Sequence, residues 1–400
     1  MSISILTATT LFPNSVQHSH GIFVATRLSK LVATGAVRAH VLAPVPWLPR
    51  FIKYRSLGPL HRVPSHTVTN GIIIEHPRYL VVPKLGMTIA PYTLYRAMRK
   101  RFVQLLASGH RFDLIDAHYF YPDGIAAVRL AREFGLPVVV TARGTDINLI
   151  PQFAKPRRLI IDAAERADGL ITVCQALKNE LVTLGIAPQR ITVLPNGVDL
   201  ERFRPVDRDA ERRKLGLARR TLLSVGHLIE RKGHHHVIRA LSRLPDTDLL
   251  IVGEGPCRHS LEQLVAQLKV GQHVRFLGNL DQDRLCELYN AADALVLASS
   301  REGWANVLLE AMACGTPVVA SAIWGTPEVV AAPEAGVLMS SVDADGVISG
   351  VRRLFGKLPD RAATRRYAEG FDWQSTTEGQ LTLFHHILEA RKERYPKSWA

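Results

Sequence analysis

Short apolar, β-branched runs alternate with longer segments of helical periodicity, and the alternation restarts once about halfway along the chain. "SISILTA" leads into "GIFVATRLSKLVATG", where Ile22, Ala25, Leu28, Leu31 and Val32 fall on one helical face. "RAHVLAP", "FDLIDAH", "LPVVVTA", "GLITVC" and "RITVLPNG" are further strands of the first half. The Pro-rich stretch 44–91 reads as irregular, ahead of the helix-like "YTLYRAMRKRFVQLLASG". After residue 200 come "TLLSVG", "TDLLIVG", "HVRFLG", "ALVLAS", "TPVVAS" and "AGVLMS", again with helices between them. Strands that are apolar throughout are buried on both faces, which is the condition of a parallel sheet covered by crossover helices. Four hundred residues also exceed one ordinary core. The expectation is an α/β protein of two Rossmann-like domains whose parallel sheets face a central cleft. Residues 1–200 form the first domain and 201–372 the second, with residues 373–400 a helix crossing back towards the first.

Composition narrows the function classes. The chain is 47% hydrophobic and 22% charged. Cys174, Cys257, Cys286 and Cys314 are far apart in sequence with no C-x-x-C pair, which argues against a disulfide framework or a cysteine zinc site and fits a reducing compartment. "MSISILTATTLFPN" has no basic leader and reads as the first strand rather than a signal peptide. No run approaches the roughly 20 apolar residues of a membrane span. The net charge of +14 is lopsided: residues 1–200 carry 23 Lys and Arg against 11 Asp and Glu, residues 201–400 carry 27 against 25. An anionic partner for the first half would account for this, as would a solvated basic face.

Ligands of open α/β sheets bind beyond the carboxyl ends of the strands, so side chains at strand ends carry most weight. In "LLSVGHLIERKGHHHVIRAL" the strand ends at Gly226, and Arg231 and Lys232 stand just before a helix expected near Gly233. Two cations at a helix start suit a diphosphate; a turn with solvated basic residues is the plain alternative. His234, His235 and His236 would point about 100° apart on a helix and could not converge on one metal ion. "LLIVGEGPCRHSLEQL" puts Gly253, Glu254 and Gly255 at a strand end, but Arg258 replaces the third glycine of a dinucleotide fingerprint. In "SREGWANVLLEAMACGTPVV", Glu302 lies in a loop and Glu310 in the helix expected from about Asn306, a spacing that lets two carboxylates reach different parts of one elongated ligand. Glu328 in "WGTPEVV" sits at the next strand end. The first half offers Gly21 in "SHGIF", His118 in "DAHYFYPDG", and Arg143, Gly144 and Asp146 in "TARGTDIN". Ser-His-Asp spacing, P-loop, H-E-x-x-H, zinc-finger and RNA-recognition motifs are absent.

"ERKG", "VGEG", the E-x7-E of "REGWANVLLEAMACGTPVVAS" and "GTPEVV", in this order and at these strand ends, resemble family 4 of the retaining glycosyltransferases. The resemblance spans nearly the whole chain and is most specific over residues 301–328. "HGIF", "HPRYL", "YPDG" and "GTDIN" resemble the subgroup building bacterial exopolysaccharide and teichuronic-type chains. The resemblance implies the GT-B fold, a nucleotide-sugar donor as substrate, no metal and no cofactor. It implies a catalytic set of His118, Glu302 and Lys232. It implies a donor set of Gly21, Arg231, Lys232, Gly253, Glu254, Glu302, Gly303, Asn306, Val307 and Glu310, with Arg231 and Lys232 on the diphosphate, Glu302 on the sugar and Glu310 on the ribose hydroxyls. It implies that residues 1–200 bind the acceptor and residues 201–372 the nucleotide sugar, with Arg143 and Asp146 on the acceptor side. Two positions depart from the family pattern: His227 stands where arginine usually follows the strand-end glycine, and Arg143 where the "HGTD"-type motif has histidine.

The expected function is therefore retaining transfer of a sugar from a nucleotide sugar to a glycan or lipid-linked acceptor in polysaccharide or cell-envelope synthesis. The expected location is the cytoplasm, peripheral on an anionic inner membrane face reached through the basic helix 92–106. The rivals are a basic nucleic-acid-binding protein, for which no stacking or groove-reading motif is present, a non-catalytic nucleotide-sugar-binding protein, and an NAD enzyme, disfavoured by the incomplete glycine fingerprint.

Overall fold

In the computed structural model, which describes residues 2–48, 58–81 and 86–394, the chain divides into two units. Met1–Pro195 and Ser375–Ala400 belong to one, Asn196–Gln374 to the other. The segment 373–400 expected as a helix is helical over Gln374–Arg394, and parts of the 44–91 stretch lie outside the described residues.

The first unit holds strands β1 (Ile3–Ala8), β2 (Val37–Leu42), β3 (Val45–Trp47), β4 (His66–Thr69), β5 (Ile72–Glu75), β6 (Arg78–Leu80), β7 (Leu114–His118), β8 (Val138–Ala142), β9 (Gly169–Thr172) and β10 (Ile191–Val193). Eight of them form one sheet in the order β10-β9-β8-β7-β1-β2-β5-β4, parallel except for the antiparallel edge strand β4. β3 and β6 form a separate parallel pair. β7 and β8 are buried along their whole length, as their unbroken apolar runs require. The core beneath the sheet joins Ile5, Leu28, Val41, Leu114 and Ile171 to Phe384 and Leu388 of the C-terminal helix. The stretch read as irregular contains β4 and β5, which add two strands to the main sheet.

The second unit carries β11 (Arg220–Val225), β12 (Thr247–Val252), β13 (Val274–Phe276), β14 (Ala294–Leu297), β15 (Val318–Ser321) and β16 (Gly336–Met339). All are parallel, in the order β13-β12-β11-β14-β15-β16. Aspartates cap its helices: Asp207, Asp281, Asp343 and Asp360 each accept a bond from a first-turn backbone N–H. The strand order reverses between β11 and β14 in this unit and between β1 and β7 in the first. Such reversals leave a crevice at the carboxyl ends of the two central strands.

Candidate active site

The two central strands of the second unit run directly into the motifs singled out in the sequence. β11 ends in Gly226, with φ of +152°, and continues through a short 3-10 turn, Glu230–Lys232, to Gly233 at φ +70°. A Cβ on Gly233 would lie 1.9 Å from the Ala298 carbonyl oxygen, so only glycine lets this loop rest on the end of β14. That approach sets Lys232 against Glu302. The Lys232 Nζ donates to Glu302 Oε1 at 2.6 Å, with side-chain exposures of 17% and 8%. Arg231 donates to the Arg301 carbonyl at 3.1 Å, and the Ser300 N–H to the Arg231 carbonyl at 2.8 Å. The cation loop of β11 and the acid loop of β14 are thus stitched together at the switch point.

The "VGEG" turn forms the adjoining floor. A Cβ on Gly253 would come 1.9 Å from the Gly226 carbonyl oxygen, and one on Gly255 2.4 Å from that of Leu228. The Leu228 N–H donates to the Glu254 carbonyl at 2.9 Å. The Glu254 side chain is exposed and only 3.5 Å from Arg258, which bonds Glu262 and covers the Phe276 ring. Arg258, standing where a dinucleotide fingerprint needs glycine, opens the helix Arg258–Gln267.

Glu310 lies inside the helix Asn306–Ala313 and accepts from the Tyr289 hydroxyl at 2.8 Å. Burial pushes its carboxyl up to about 7, against the lowering effect of that bond. At the same helix start the Asn196 amide donates to Asn306 Oδ1 at 3.2 Å, and the Trp304 indole to the Asn196 carbonyl at 2.9 Å. Gly303 is buried, Val307 half-buried, and Glu328 half-buried on the short helix Thr326–Val329. Cys286, on the helix Gln282–Ala291, and Cys314, at the end of Asn306–Ala313, bring their sulfurs to 3.7 Å. The histidine tract divides: His234 is buried against Ser224 Oγ at 2.8 Å and pulled down to about 4 by burial, while the His235 and His236 rings sit 3.9 Å apart. Among the described residues no cluster of His, Cys, Asp and Glu is shaped to hold a metal.

In the first unit, Gly21 adopts φ +66° with its would-be Cβ 2.2 Å from the Leu11 backbone, holding the loop after β1 close to the helix Ile22–Ala33. His118 ends β7 fully buried. Its Nε2 lies 3.2 Å from Asp116 Oδ2, and the Arg143 guanidinium donates to Nδ1 at 2.7 Å. An arginine can only donate, so Nδ1 is the acceptor and Nε2 carries the proton. Burial, with help from the charges of Arg143 and Arg27, lowers His118 to about 4. It is neutral at physiological pH, with both ring nitrogens engaged. Burial alone would raise Asp116, yet its carboxyl is held low by His118, Arg27 and Arg143. Arg27 also donates to Gln380, which donates to Asp116 at 3.1 Å. Arg143 is thus a donor that fixes the tautomer of His118. Asp146 takes the backbone N–H groups of Phe120, Arg143 and Gly144 at 2.7 to 3.1 Å and ties down the loop after β8. Its carboxylate faces the protein's own amides.

A family model described as "Glycosyl transferases group 1" matches residues 207–371, and one described as "Glycosyltransferase Family 4" matches residues 55–202. The chain is 31% identical over 311 residues to D-inositol 3-phosphate glycosyltransferase of Mycobacteroides abscessus, covering 72% of this chain and 70% of that one. The chain is a glycosyltransferase of the GT-B type. Sucrose-phosphate synthase from Thermosynechococcus elongatus has the same fold, with a TM-score of 0.79 at 20% identity over 98% of this chain and 100% of its own. So does Anabaena HepE, solved in complex with UDP-glucose, with a TM-score of 0.69 at 18% identity over 98% and 100%.

In this glycosyltransferase the second unit brings Arg231, Lys232 and Glu302 together, with Gly253 and Gly255 beneath the same loop; the first unit gathers His118 and Arg143. Three partners escaped the sequence reading. Asp116 had a signal, since it is two residues from His118 on one strand and so shares its face. Tyr289 lies in mid-helix and Arg27 on the first helix, far from any strand end, and nothing in the sequence marks either.

Proposed function

We propose that this glycosyltransferase takes its sugar from a nucleotide sugar seated at the β11–β14 switch point. It passes the sugar, with retained anomeric configuration, to a glycan or lipid-linked acceptor in exopolysaccharide or other cell-envelope synthesis. The observation that carries the donor assignment is the Lys232–Glu302 pair at 2.6 Å, where a cation and a carboxylate meet over glycine-built loops. A diphosphate competes for the ammonium, and Glu302, once released, accepts from sugar hydroxyls. Glu310, braced by Tyr289, is the second acceptor along the groove and suits a ribose diol. HepE supports this use of the fold, having been solved with UDP-glucose.

The difficult step is departure of the nucleoside diphosphate as the sugar gains positive charge. Lys232 and Arg231 face the charge that grows on the leaving phosphate, where a fixed donor contributes about 100- to 1000-fold in rate. The two cations supply this without a metal. Attack on the face the phosphate leaves, with the phosphate oxygen taking the acceptor's proton, retains configuration and needs no carboxylate nucleophile. Neutral His118 is locked by Asp116 and Arg143 at the end of β7.

We place the enzyme at the inner face of the cytoplasmic membrane. The helix Gly86–Ala107 exposes Tyr92, Arg96, Arg99 and Lys100, although Arg99 is paired with Glu133 and Arg101 with Glu75. Among the described residues no helix is long and apolar enough to cross a membrane. Incubation with UDP-, GDP- and ADP-sugars, followed by proton NMR of the product, tests the chemistry. An α-linked product from an α-configured donor is expected, and a β-linked product would contradict the mechanism.

A further inference from the structure

The second unit brings together two cysteines that lie 28 residues apart in sequence, Cys286 and Cys314, with their sulfurs 3.7 Å apart. Both are free thiols, as are Cys174 and Cys257, which stand at the starts of the helices Gln175–Thr183 and Arg258–Gln267. The contact is held from the backbone. The Asn290 amide donates to the Cys286 carbonyl at 2.9 Å and to Cys286 Sγ at 3.6 Å. The Arg361 guanidinium donates to the Cys314 carbonyl at 3.2 Å and to the Asn290 carbonyl at 3.1 Å. One arginine therefore clamps the two helix ends that carry the sulfurs. Closing them to the about 2.05 Å of a disulfide moves side chains and helix ends and leaves the sheet as it is.

The two thiols are unequal. The bond from the Cys314 thiol pulls the Cys286 thiol below its ordinary value against the opposing effect of burial, with help from Arg204 and the Asn290 amide. That bond and burial push Cys314 up. Cys286 is also the more accessible of the two, 9% exposed against 1%. A cavity of about 340 Å³ adjoins Cys314, between Pro205, Val206, Asn290 and Arg361. It has room for a molecule little larger than water. An accessible sulfur that ionises readily, with a second thiol in contact behind it, is the arrangement of an attacking and a resolving cysteine.

We propose that Cys286 and Cys314 form an oxidisable dithiol site, closed to a disulfide by hydrogen peroxide. The Cys286 thiolate attacks one peroxide oxygen; an S–O bond forms, the O–O bond breaks and hydroxide leaves, with Cys286 now a sulfenic acid. The Cys314 sulfur then attacks Cys286 Sγ, the S–O bond breaks, and the Cys314 proton leaves with the hydroxyl as water. The first hydroxide takes up the proton that Cys286 gave up, so two thiols are oxidised and one peroxide is reduced to two waters. The link reaches the donor site, a consequence that rests on the reading of Glu310 proposed above. Tyr289, one helical turn after Cys286, donates to Glu310, one turn before Cys314. Drawing the sulfurs together shifts the two helices that this bond spans and misplaces the Glu310 carboxylate.

Peptide mapping of the full chain tests the site. The protein is treated with hydrogen peroxide, unfolded in N-ethylmaleimide, digested without reductant and read by mass spectrometry. A peptide pair joined through Cys286 and Cys314 is expected, with Cys174 and Cys257 alkylated, and dithiothreitol should separate it. In Cys314→Ala, dimedone should tag Cys286 as the trapped sulfenic acid. Recovery of both thiols alkylated, or linkage of either to Cys174 or Cys257, overturns the site; the wild-type digest decides this even if the variant fails to fold. Thermal-shift titration with UDP-, GDP- and ADP-glucose is run on the reduced and the oxidised wild type. Oxidation should weaken the donor about 5- to 10-fold, the effect of one lost hydrogen bond, and Cys286→Ala should not respond to peroxide. Unchanged donor affinity in the linked protein overturns the coupling to Glu310. Absence of any donor shift in the reduced protein strikes the donor assignment alone, because the link is read by mass without donor.

Discussion

Lys232 and Glu302 neutralise each other across the switch point, and each is mostly buried. Removing one partner leaves the other charge uncompensated, which costs about 1–3 kcal/mol. Lys232→Ala should lower the melting temperature as well as activity, whereas Lys232→Ala with Glu302→Gln should recover the temperature and not the activity. Calorimetry and a transfer assay together distinguish this from a purely catalytic loss. Glu310 gives a pH signature. Its folded carboxyl titrates near 7 against an ordinary 4.5. Below 4.5 it is neutral folded or unfolded; as pH rises the unfolded chain ionises first, so stability falls between about 4.5 and 7 and stays lower above. Glu310→Gln should remove about 2 kcal/mol of that fall, checked by urea unfolding at pH 5 and pH 8. At this scale both glutamates were legible: Glu302 stands in the loop after a strand end, and Glu310 lies eight residues on, inside the helix that follows. The pairing of Glu302 with Lys232 was not, since a side-chain pair across 70 residues is set by a backbone approach at Gly233 that the sequence marks only as a glycine.

At the scale of elements, the long apolar strands were legible and the short ones were not. β4 and β5 are joined by Asn70 and Gly71, both at positive φ, a two-residue hairpin turn. The "TNGI" signal was present, but prolines and basic residues around it hid two four-residue strands. Arg258 was legible as a break in the dinucleotide pattern, because the glycine it replaces is the one that lets the helix pack closely on the strand. The floor makes its own prediction. With a Cβ 1.9 Å from a backbone oxygen and φ of +139°, Gly253→Ala should destabilise the second unit by at least about 2 kcal/mol, measured by thermal unfolding. The basic helix Gly86–Ala107 should carry the protein with vesicles containing anionic lipid, more weakly as salt rises. Flotation that is the same with neutral vesicles would remove the membrane assignment.

Across the whole molecule, most of the net positive charge lies in residues 1–200, and the cations of the donor site lie outside them. The excess is therefore not explained by the donor, and it suits a partner of the first half. The two strand-order reversals account for why the chemistry-bearing motifs fall where they do; the restart of the strand–helix rhythm near residue 200 marked two sheets but not the strand order within them. The central claim is that the second unit holds a nucleotide sugar by Lys232 at the phosphates and Glu310 at the ribose. Thermal-shift titration of UDP-, GDP- and ADP-sugars against wild type, Lys232→Ala and Glu310→Ala tests it most directly. At least one donor should raise the wild-type melting temperature and leave both variants unshifted; full retention of the shift in both would contradict the account.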